Sequence, residues 1–550
     1  MNSLQNHSQQ HRVQQLLTQH LDIWTTAETE KKLGRGRANG NAGSVYGIKK
    51  LRELILELAV RGKLVLQKGI WKELKLGEIG KWAIGSGFPT QEQGLHNEDV
   101  LFAKVSDMNL PENEKFIVVT NNTISYETAK RLRINVHSAG TVIFPKIGGA
   151  IATNKRRVLT KDTAIDNNCL GLIPKEGVST EWLFLQLLSM DLTKYQAGTS
   201  LPALSQGVLQ EIRVTLPNPD EQHCIVTKVD ELMALCDQLE NQHLNTAEAH
   251  ETLVFALLDT LTHSQNAAEF QSHWQRIAQH FDVLFTTEAS IDALKQTLLQ
   301  LAIMGKIVPQ DPNDEPSSEL LKRIQAEKAK LIAEGKLKKE KPLAPITEDE
   351  KPFELPKGWE WVRFPELGEF ARGKSKHRPR NDPSLFNPPI YPLVQTGEVA
   401  RAGYVIEEFH SKYSEIGLQQ SRMWAKGTLC ITIAANIADS AILGFDACFP
   451  DSVVGFSPNT IINSAKYFLY FMKTARDDLL KFAPSTAQKN INLEILESVL
   501  IPTPPLAEQL RIVAKVDALM ALCDQLKTRI NQASRQQQLL ADVFVEQALA

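Results

Sequence analysis

The chain has 550 residues, of which 43% are hydrophobic and 23% charged, and this is enough material for two to four globular domains. Its six cysteines form no CxxC pair, which argues against a zinc knuckle or a disulfide framework and favours a reduced, cytoplasmic setting. The first residues, MNSLQNHSQQHR, lack the apolar core of a signal peptide, and no stretch is apolar enough to span a membrane.

The charge of the chain is unevenly distributed. A net charge of −3 is unfavourable for nucleic-acid binding, but residues 71–200 hold 15 Lys+Arg against 14 Asp+Glu, and residues 351–490 hold 17 against 14. The acidity therefore lies outside these two long segments. The 13 histidines show no metal-ligand spacing with cysteines or carboxylates, so we predict no metal site.

Residues 1–70 are predicted to form a helical region. Its head repeat, IKKLRELILELAVRGKLVLQ at residues 48–67, places Leu51, Leu54, Ile55 and Leu58 on one helical face. Gly62 is expected to end this helix as a C-cap. A Gly-rich insert around residues 34–43 is predicted to be a loop.

Residues 71–204 form a first variable segment, in which short alternating or β-branched runs stand between Gly, Pro, Asn and Asp. This pattern predicts a mixed α/β domain.

Residues 205–310 are predicted to form a central helical region that contains a tail repeat and then a second head repeat. The tail repeat includes KVDELMALCDQLE from Lys228, and its apolar side chains follow helical spacing and predict a seam for a partner helix: Val229, Leu232, Cys236 and Leu239. The second head repeat, residues 291–310, is identical to residues 48–67 at nine of 20 positions, with Gly305 in the place of Gly62.

The second half of the chain repeats this order after a linker. Residues 311–352 are predicted to form a charged helix and a Pro-rich tether, and residues 353–490 a second mixed α/β segment. Residues 491–550 carry the second tail repeat, because 15 of the 19 positions of residues 221–239 recur at residues 508–526. Its predicted seam consists of Val516, Leu519, Cys523 and Leu526.

The order of head repeat, variable segment and tail repeat thus occurs twice. It predicts an α/β protein in which two mixed α/β domains are separated by long antiparallel, coiled-coil-like helices, with a pseudo-two-fold internal repeat. Because the chain begins with a head and ends with a tail, bringing its termini together would complete a second copy of its centre. Such a chain would offer two equivalent docking surfaces.

The layout resembles the specificity subunits of type I restriction-modification enzymes over essentially the whole chain. The resemblance is carried by LPNPDEQHCIVTKVDELMALCDQLE, by PTPPLAEQLRIVAKVDALMALCDQLK and by YGIKKLRELILELAVRGKLV. It implies that each variable segment is a target-recognition domain that reads one half of a split double-stranded DNA target. It also implies two methyltransferase subunits and restriction (nuclease-translocase) subunits as partners. This chain would then be non-catalytic and bind no cofactor, with S-adenosylmethionine, ATP and Mg on the partner subunits.

Two short motifs suggest an enzyme instead. GEFARGKS, residues 368–375, satisfies the P-loop pattern, but the prolines of the following KHRPRNDP are incompatible with the helix that a P-loop requires. NPPI, residues 387–390, is close to the motif with which amino-methyltransferases hold a flipped adenine, but Ile390 stands where that motif has an aromatic ring. A basic loop and a Pro-rich surface turn are the favoured interpretations, and a stand-alone DNA adenine methyltransferase remains the alternative.

DNA contacts are predicted in three basic tracts of the variable segments, each near Gly, Asn or Pro. Arginine can contact guanine bidentately, and either cation can bind phosphate, although any such tract can also be a solvated loop. The candidate residues are Lys130, Arg131, Arg133, Lys155, Arg156, Arg157, Arg372, Lys374, Lys376, Arg378 and Arg380.

Overall fold

The four conserved repeats fold as helices in the computed structural model, which describes residues 21–27, 45–67, 69–198, 202–335, 343–377, 379–434, 436–481 and 491–549. After the short α1 (Leu21–Thr26), the first head helix is α2 (Tyr46–Val60), and the first tail helix is α7 (Pro219–Thr262). The second head helix is α10 (Glu288–Ile303), and the second tail helix is α17 (Leu506–Leu549). The predicted Gly-rich loop at residues 34–43 lies outside the described residues.

The chain divides into two compact units, each with a head helix and the start of its own tail helix. The first unit is Met1–Ala247 with Gln532–Ala550, and the second is Glu248–Asn531. Among the described residues, no helix combines the length and apolarity needed to cross a membrane.

In the first unit, α2 packs antiparallel against the start of α7. An ion pair joins Arg52 to Asp237 at 2.6 Å, while the Thr215 hydroxyl, just before α7, donates to the Val60 carbonyl at 2.9 Å. As residue numbers rise along α2, those of its partners fall. The predicted apolar face of the head helix shares one buried core with Val229 and Cys236 of the tail helix.

The second unit repeats this packing. Lys295 pairs with Asp524 at 2.6 Å, and the side-chain amide of Gln310 donates to the Glu508 carboxylate at 3.0 Å. The helices α10 and α17 are therefore also antiparallel. Val516 and Cys523 lie in the same buried core as the apolar residues of α10.

Each tail helix ends against the head helix of the unit in which its last residues lie. Lys63 donates to the Leu549 carbonyl at 2.9 Å in the first unit, and Lys306 donates to the Thr262 carbonyl at 2.9 Å in the second. These lysines occupy equivalent repeat positions, and a cation at a helix C-terminus is favourable. The end of the chain thus completes the first unit as the centre completes the second, which confirms the internal repeat.

A strand at the start of each α/β domain pairs with a strand that lies beyond the predicted end of the variable segment and just before the tail helix. In the first, β1 (Lys72–Lys75) pairs antiparallel with β13 (Arg213–Leu216), and in the second β14 (Glu360–Arg363) pairs antiparallel with β24 (Leu500–Thr503). The two ends of each domain therefore meet beside the helices, so the chain returns to the place at which it left them.

The first segment, together with the residues that follow it up to Leu216, is a mixed α/β domain with two large sheets, the β1–β13 pair and a two-stranded sheet of β11 (Gln196–Ala197) and β12 (Ala203–Leu204). Its remaining strands are β2 (Gly80–Ile84), β3 (Val100–Ala103), β4 (Phe116–Ile117), β5 (Thr123–Ile124), β6 (Val136–His137), β7 (Val142–Pro145), β8 (Arg157–Leu159), β9 (Thr163–Ile165) and β10 (Cys169–Pro174). Its helices are α3 (Leu76–Ile79), α4 (Tyr126–Arg131), α5 (Thr180–Ser189) and α6 (Gln206–Leu209). One sheet has the order β2-β10-β7-β8-β4, and the other β5-β3-β9-β6.

The second unit adds two short helices after α7, namely α8 (Ala267–Gln279) and α9 (Phe281–Leu284), and a linker helix, α11 (Ser317–Ala333). The charge of the linker helix favours exposure to solvent, but its Leu320 and Ile324 are fully buried in the core of the unit.

The second segment has the same topology as the first. Its strands are β15 (Gly368–Arg372), β16 (Tyr391–Leu393), β17 (Val405–Ile406), β18 (Ser411–Tyr413), β19 (Met423–Trp424), β20 (Leu429–Thr432), β21 (Ser440–Leu443), β22 (Ala447–Cys448) and β23 (Val453–Pro458). Its helices are α12 (Phe364–Leu367), α13 (Thr396–Arg401), α14 (Glu415–Gln420), α15 (Lys466–Lys481) and α16 (Leu493–Ser498). The sheets have the orders β15-β23-β20-β21-β17 and β18-β16-β22-β19, which match those of the first segment strand for strand.

Gly62 and Gly305 end the two head helices, as the sequence predicted. Their φ angles are +69° and +71°, and the amide after each donates five residues back, from Lys63 to Leu58 and from Lys306 to Leu301. A side chain at Gly305 would place its Cβ 2.6 Å from Pro356 Cγ. The position therefore requires glycine for both its backbone angle and its surroundings.

We expect Gly305→Ala to lower the free energy of unfolding of the second unit by about 2 kcal/mol, since strain in the left-handed region adds to this close contact. Gly335→Ala is a matched control, because Gly335 follows α11 at a φ of +69° and its Cβ would meet nothing within 4 Å. Denaturant-dependent hydrogen exchange of the α10 amides measures the loss of unfolding free energy caused by Gly305→Ala. Exchange of the α11 amides measures the loss caused by Gly335→Ala. Equal costs would show that the contact with Pro356 contributes nothing.

Candidate nucleic-acid interface

One end of the five-stranded sheet of the first segment gathers two of the predicted basic tracts. Strand register places Ile84 beside Leu170 and Arg157 beside Ile143, so the C-terminal ends of β2 and β7 meet the N-terminal ends of β10 and β8. The tract Lys155–Arg157 lies at this end because it leads into β8. We call this end of the sheet the basic edge of the first domain.

The tract Lys130–Arg133 reaches the same edge through the second sheet. The Asn135 amide N–H donates to the Ser86 hydroxyl at 3.0 Å, and the His137 ring contacts the Ile84 carbonyl at 3.1 Å. Ile84 and Ser86 lie where β2 ends, so the segment after α4 is fixed to the basic edge.

The second domain has a corresponding basic edge at the C-terminal end of β15. Arg372 ends this strand, and the loop that follows is held to the end of α14 by the Gln420 side chain, which accepts from the amides of Lys376 at 2.7 Å and His377 at 3.1 Å. The Ser421 hydroxyl also donates to the Lys374 carbonyl at 2.9 Å. In both domains, the loop after the first strand of the five-stranded sheet is therefore hydrogen-bonded to residues at or just after the end of an equivalent helix, which is α4 in the first domain and α14 in the second.

Four of the candidate cations at these edges are exposed and available to a ligand. Within the described part of the chain, no hydrogen bond or ion pair engages the side chains of Lys130, Arg133, Lys374 and Lys376. These four residues are the strongest candidates for phosphate or base contacts.

Three other exposed arginines have partners within the protein. Arg131 lies 3.4 Å from the Glu92 carboxylate, Arg372 donates to the Asp451 carbonyl at 2.7 and 2.9 Å, and Arg380 pairs with the Asp451 carboxylate at 2.9 Å. Asp451 thereby fixes both Arg372 and Arg380. Arg378 lies outside the described residues.

Arg156 must be removed from the candidate surface. Only 1% of it is exposed, and its guanidinium donates to the carbonyls of Lys155, Leu187 and Met190 and to the Asn154 side chain at 2.9–3.3 Å. Burial lowers its pKa to about 10. With its donors directed inward to the end of α5, Arg156 serves as a structural anchor rather than as a contact for DNA.

Lys155 and Arg157, on either side of Arg156, are partly exposed. Arg157 is half-buried and donates to the Met108 carbonyl at 2.8 Å, and burial lowers its pKa. Lys155 donates to the Asn109 side chain. The tract therefore presents less free charge than its sequence suggests.

A cation that sequence reasoning missed also lies at the basic edge of the first domain. Lys146 follows the last residue of β7, and its amide donates to the Asn168 carbonyl at 2.8 Å. It stands alone in the sequence, so a search for basic tracts could not find it. A search for charged residues at the shared end of neighbouring strands would have done so.

The seam residues of the tail helices are occupied within the chain. Val229, Cys236, Val516 and Cys523 are at most 4% exposed, and Leu232, Leu239, Leu519 and Leu526 pack beside them. Their partner helix is the head helix of the same unit, because that helix supplies the facing apolar side chains. The predicted seams are therefore not available to another chain, and only another face of the tail helices could be.

That other face carries exposed side chains that are identical in both copies. Leu235 and Leu522 occupy equivalent positions, and each is 54% exposed. Two further exposed pairs lie beside them, Ala234 with Ala521 and Gln238 with Gln525. Packing within the chain does not require these identities, since the side chains point to solvent.

The P-loop interpretation fails on the local structure. Residues 368–372 form strand β15, and residues 373–377 lie in an irregular loop instead of starting a helix. No helix N-terminus is therefore available there for a phosphate. Asn387–Ile390 precedes β16 as a surface turn, in which Ile390 is 44% exposed.

Comparisons with known proteins agree with this geometry. A family model described as "Type I restriction modification DNA specificity domain" matches residues 69–249 and again residues 356–534. The type I restriction enzyme EcoEI specificity subunit of Escherichia coli is 34% identical, over 98% of this chain and 100% of the relative. The EcoAI specificity subunit of the same organism is also 34% identical, over 98% and 100%.

Lys374→Ala and Lys376→Ala should each flatten the salt dependence of DNA binding. Each lost phosphate contact removes about 0.9 from the slope of log K against log salt. Lys426→Ala is the control, because this exposed lysine lies at the opposite end of the same sheet, before β20. Fluorescence anisotropy across a salt series measures the slopes. If the three variants have the same slope as the parent chain, the loop after β15 does not bind phosphate.

Proposed function

Because this chain belongs to the family of type I restriction-modification specificity subunits, we propose that it reads a bipartite DNA target, one half with each variable segment. The observation that supports this most directly is the repetition of one topology, with a basic edge in the same place, in two segments of different sequence. A shared scaffold with different side chains at its edge suits the reading of two different base sequences.

The conserved helices would hold the two recognition domains apart on the DNA. Each domain is attached through its paired first and last strands to a head and a tail helix of its own unit. The unread gap between the two half-targets would then depend on the helices and not on the recognition domains.

The chain would act as the DNA-recognition component of a larger enzyme rather than as a catalyst. We propose that it assembles with two methyltransferase subunits and with restriction (nuclease-translocase) subunits, and that S-adenosylmethionine, ATP and Mg bind to those partners. The comparisons give no support to a stand-alone methyltransferase, since the family model that matches is that of the specificity domain.

Exchange of residues 71–204 for the equivalent segment of another family member should change one half of the methylated target and leave the other half intact. The segment begins at β1 and stops before β13, so the helices are untouched. Mapping of methylated adenines in DNA from cells that express the complete enzyme provides the measurement. A change in both halves would contradict the assignment of one half to each domain.

We propose the exposed face around Leu235 and Leu522 as the methyltransferase docking surface. Two copies of one partner require two copies of one surface, and this face repeats the same exposed residues. This face takes the place of the seam residues as the candidate docking surface, because the seam residues pack within the chain.

Leu235→Glu or Leu522→Glu should reduce the number of methyltransferase subunits bound per chain from two to one, because a buried carboxylate would oppose docking. Leu510→Glu is the control, since Leu510 is 58% exposed on the same helix but its counterpart in the first copy is His223. Native mass spectrometry of the reconstituted complex counts the subunits. Two bound subunits in both variants would exclude this face as the docking surface.

A further inference from the structure

The chain contains two head helices and two nearly identical tail helices, and each head must pair with the correct tail. The apolar seams cannot distinguish the tails, because Val229, Leu232, Cys236 and Leu239 have identical counterparts in Val516, Leu519, Cys523 and Leu526. The first head helix would find the same apolar surface on either tail.

One ion pair is also the same in both units. Arg52–Asp237 in the first unit and Lys295–Asp524 in the second join equivalent positions at 2.6 Å, with the cation on the head helix each time. This pair stabilises the head–tail packing, but it would form equally well if the tails were exchanged.

A second tail position carries opposite charges in the two units, and its ion-pair partners on the head helices lie at different repeat positions. In the first unit the tail residue is Glu240, which accepts from Arg52 at 2.7 Å and from the Val45 amide at 3.3 Å. This amide lies at the N-terminus of α2, whose first turn has no acidic residue. A carboxylate is favoured at such a position by the helix dipole.

In the second unit the equivalent tail residue is Lys527. It lies 2.8 Å from Asp292 and 3.6 Å from Glu288, both in the first turns of α10. The head positions have changed together with the tail position, because Asp292 stands where the first head helix has Lys49, and Glu288 stands where it has Val45.

Exchange of the tails would bring like charges together in both units. Lys527 would face Lys49, Arg52 and the N-terminal amides of α2, while Glu240 would face Glu288 and Asp292, with Lys295 as its one favourable neighbour among these positions. Glu240 and Lys527 are only 17% and 29% exposed, so solvent screens these repulsions incompletely. Like charges placed opposite each other are a known means of excluding a wrong partner.

We propose that residues 240 and 527, together with residues 49 and 292 of the head helices, form a charge-reversed pairing code that directs each head helix to its own tail helix. The code would prevent crossed pairing within one chain and between two chains, which the duplicated seams would otherwise permit. It is independent of the proposed DNA function.

The tail repeats themselves indicate that this position is special. KVDELMALCDQLE and KVDALMALCDQLK differ at only two of 13 positions. One difference is Glu240 against Lys527. The other is Glu231 against Ala518, where Glu231 is exposed and pairs with Lys228 of its own helix at 3.0 Å. Glu231 does not face the head helix and so provides a matched control.

The first experiment compares Glu240→Lys with Glu231→Lys in the full-length chain. Glu240→Lys should lower the Tm at least three times as much as Glu231→Lys at low salt, and 1 M salt should remove most of the difference. The added Lys49→Asp should restore at least half of the lost Tm, because it places a carboxylate where the second unit has Asp292. Equal shifts for the two variants, or no rescue by Lys49→Asp, would overturn the proposal.

The second experiment exchanges the code by combining Glu240→Lys with Lys527→Glu. At positions 240 and 527 the native pairings are then mismatched and the crossed pairings matched, so the fraction of dimer in light-scattering chromatography should rise at least fivefold at a fixed concentration. Further replacement by Lys49→Asp and Asp292→Lys should return the chain to its parental profile. If the exchanged chain does not accumulate in folded form, recovery of soluble protein by these two changes is the readout. A monomeric exchanged chain with unaltered Tm, or a failure of the four-fold variant to recover, would contradict a pairing code.

Discussion

The antiparallel packing of each head helix on the start of its own tail helix is the constraint on which the other features of this chain depend. It fixes the two points of the chain between which each variable segment is inserted, since β1 with β13 and β14 with β24 form directly beside those helices. Whatever lies between the paired strands must also keep one helix against the head helix, as α5 packs on α2 and α15 on α10. Two segments that differ in sequence can therefore keep one topology and one attachment.

The same constraint explains why charge collects at one end of each sheet. The mixed topology brings the C-terminal ends of two strands beside the N-terminal ends of two others, so loops that are far apart in sequence share one edge. The exposed cations in these loops together make the electrostatic potential at the edge of each sheet positive, although the whole chain has a net charge of −3. Arg156 shows the limit of this arrangement, because a cation directed into the domain stabilises the edge without contributing to its surface.

Duplication of the helix pair also creates an ambiguity, since identical apolar seams accept either partner. Burial of apolar surface provides most of the stability but little discrimination between two equal seams. Discrimination is left to polar residues at the seam border, where Glu240 and Lys527 place opposite charges at one tail position while Arg52–Asp237 and Lys295–Asp524 keep the same polarity. Stability and pairing specificity therefore reside in different side chains of the same interface.

The sequence by itself determined the helices, the C-cap glycines, the mixed α/β segments, the doubled order of elements and the family, because helical periodicity, glycine conformation and internal identity are local properties that can be counted along the chain. The tertiary structure alone decided which surfaces these residues face. Periodicity predicted that Val229 and Cys236 would be buried, but only packing against α2, more than 160 residues earlier in the chain, showed what buries them. Likewise, the tract Lys155–Arg157 reads as three equal cations, and only the end of α5 distinguishes the buried Arg156 from its neighbours. Burial depends on residues remote in sequence, so no local pattern can specify it.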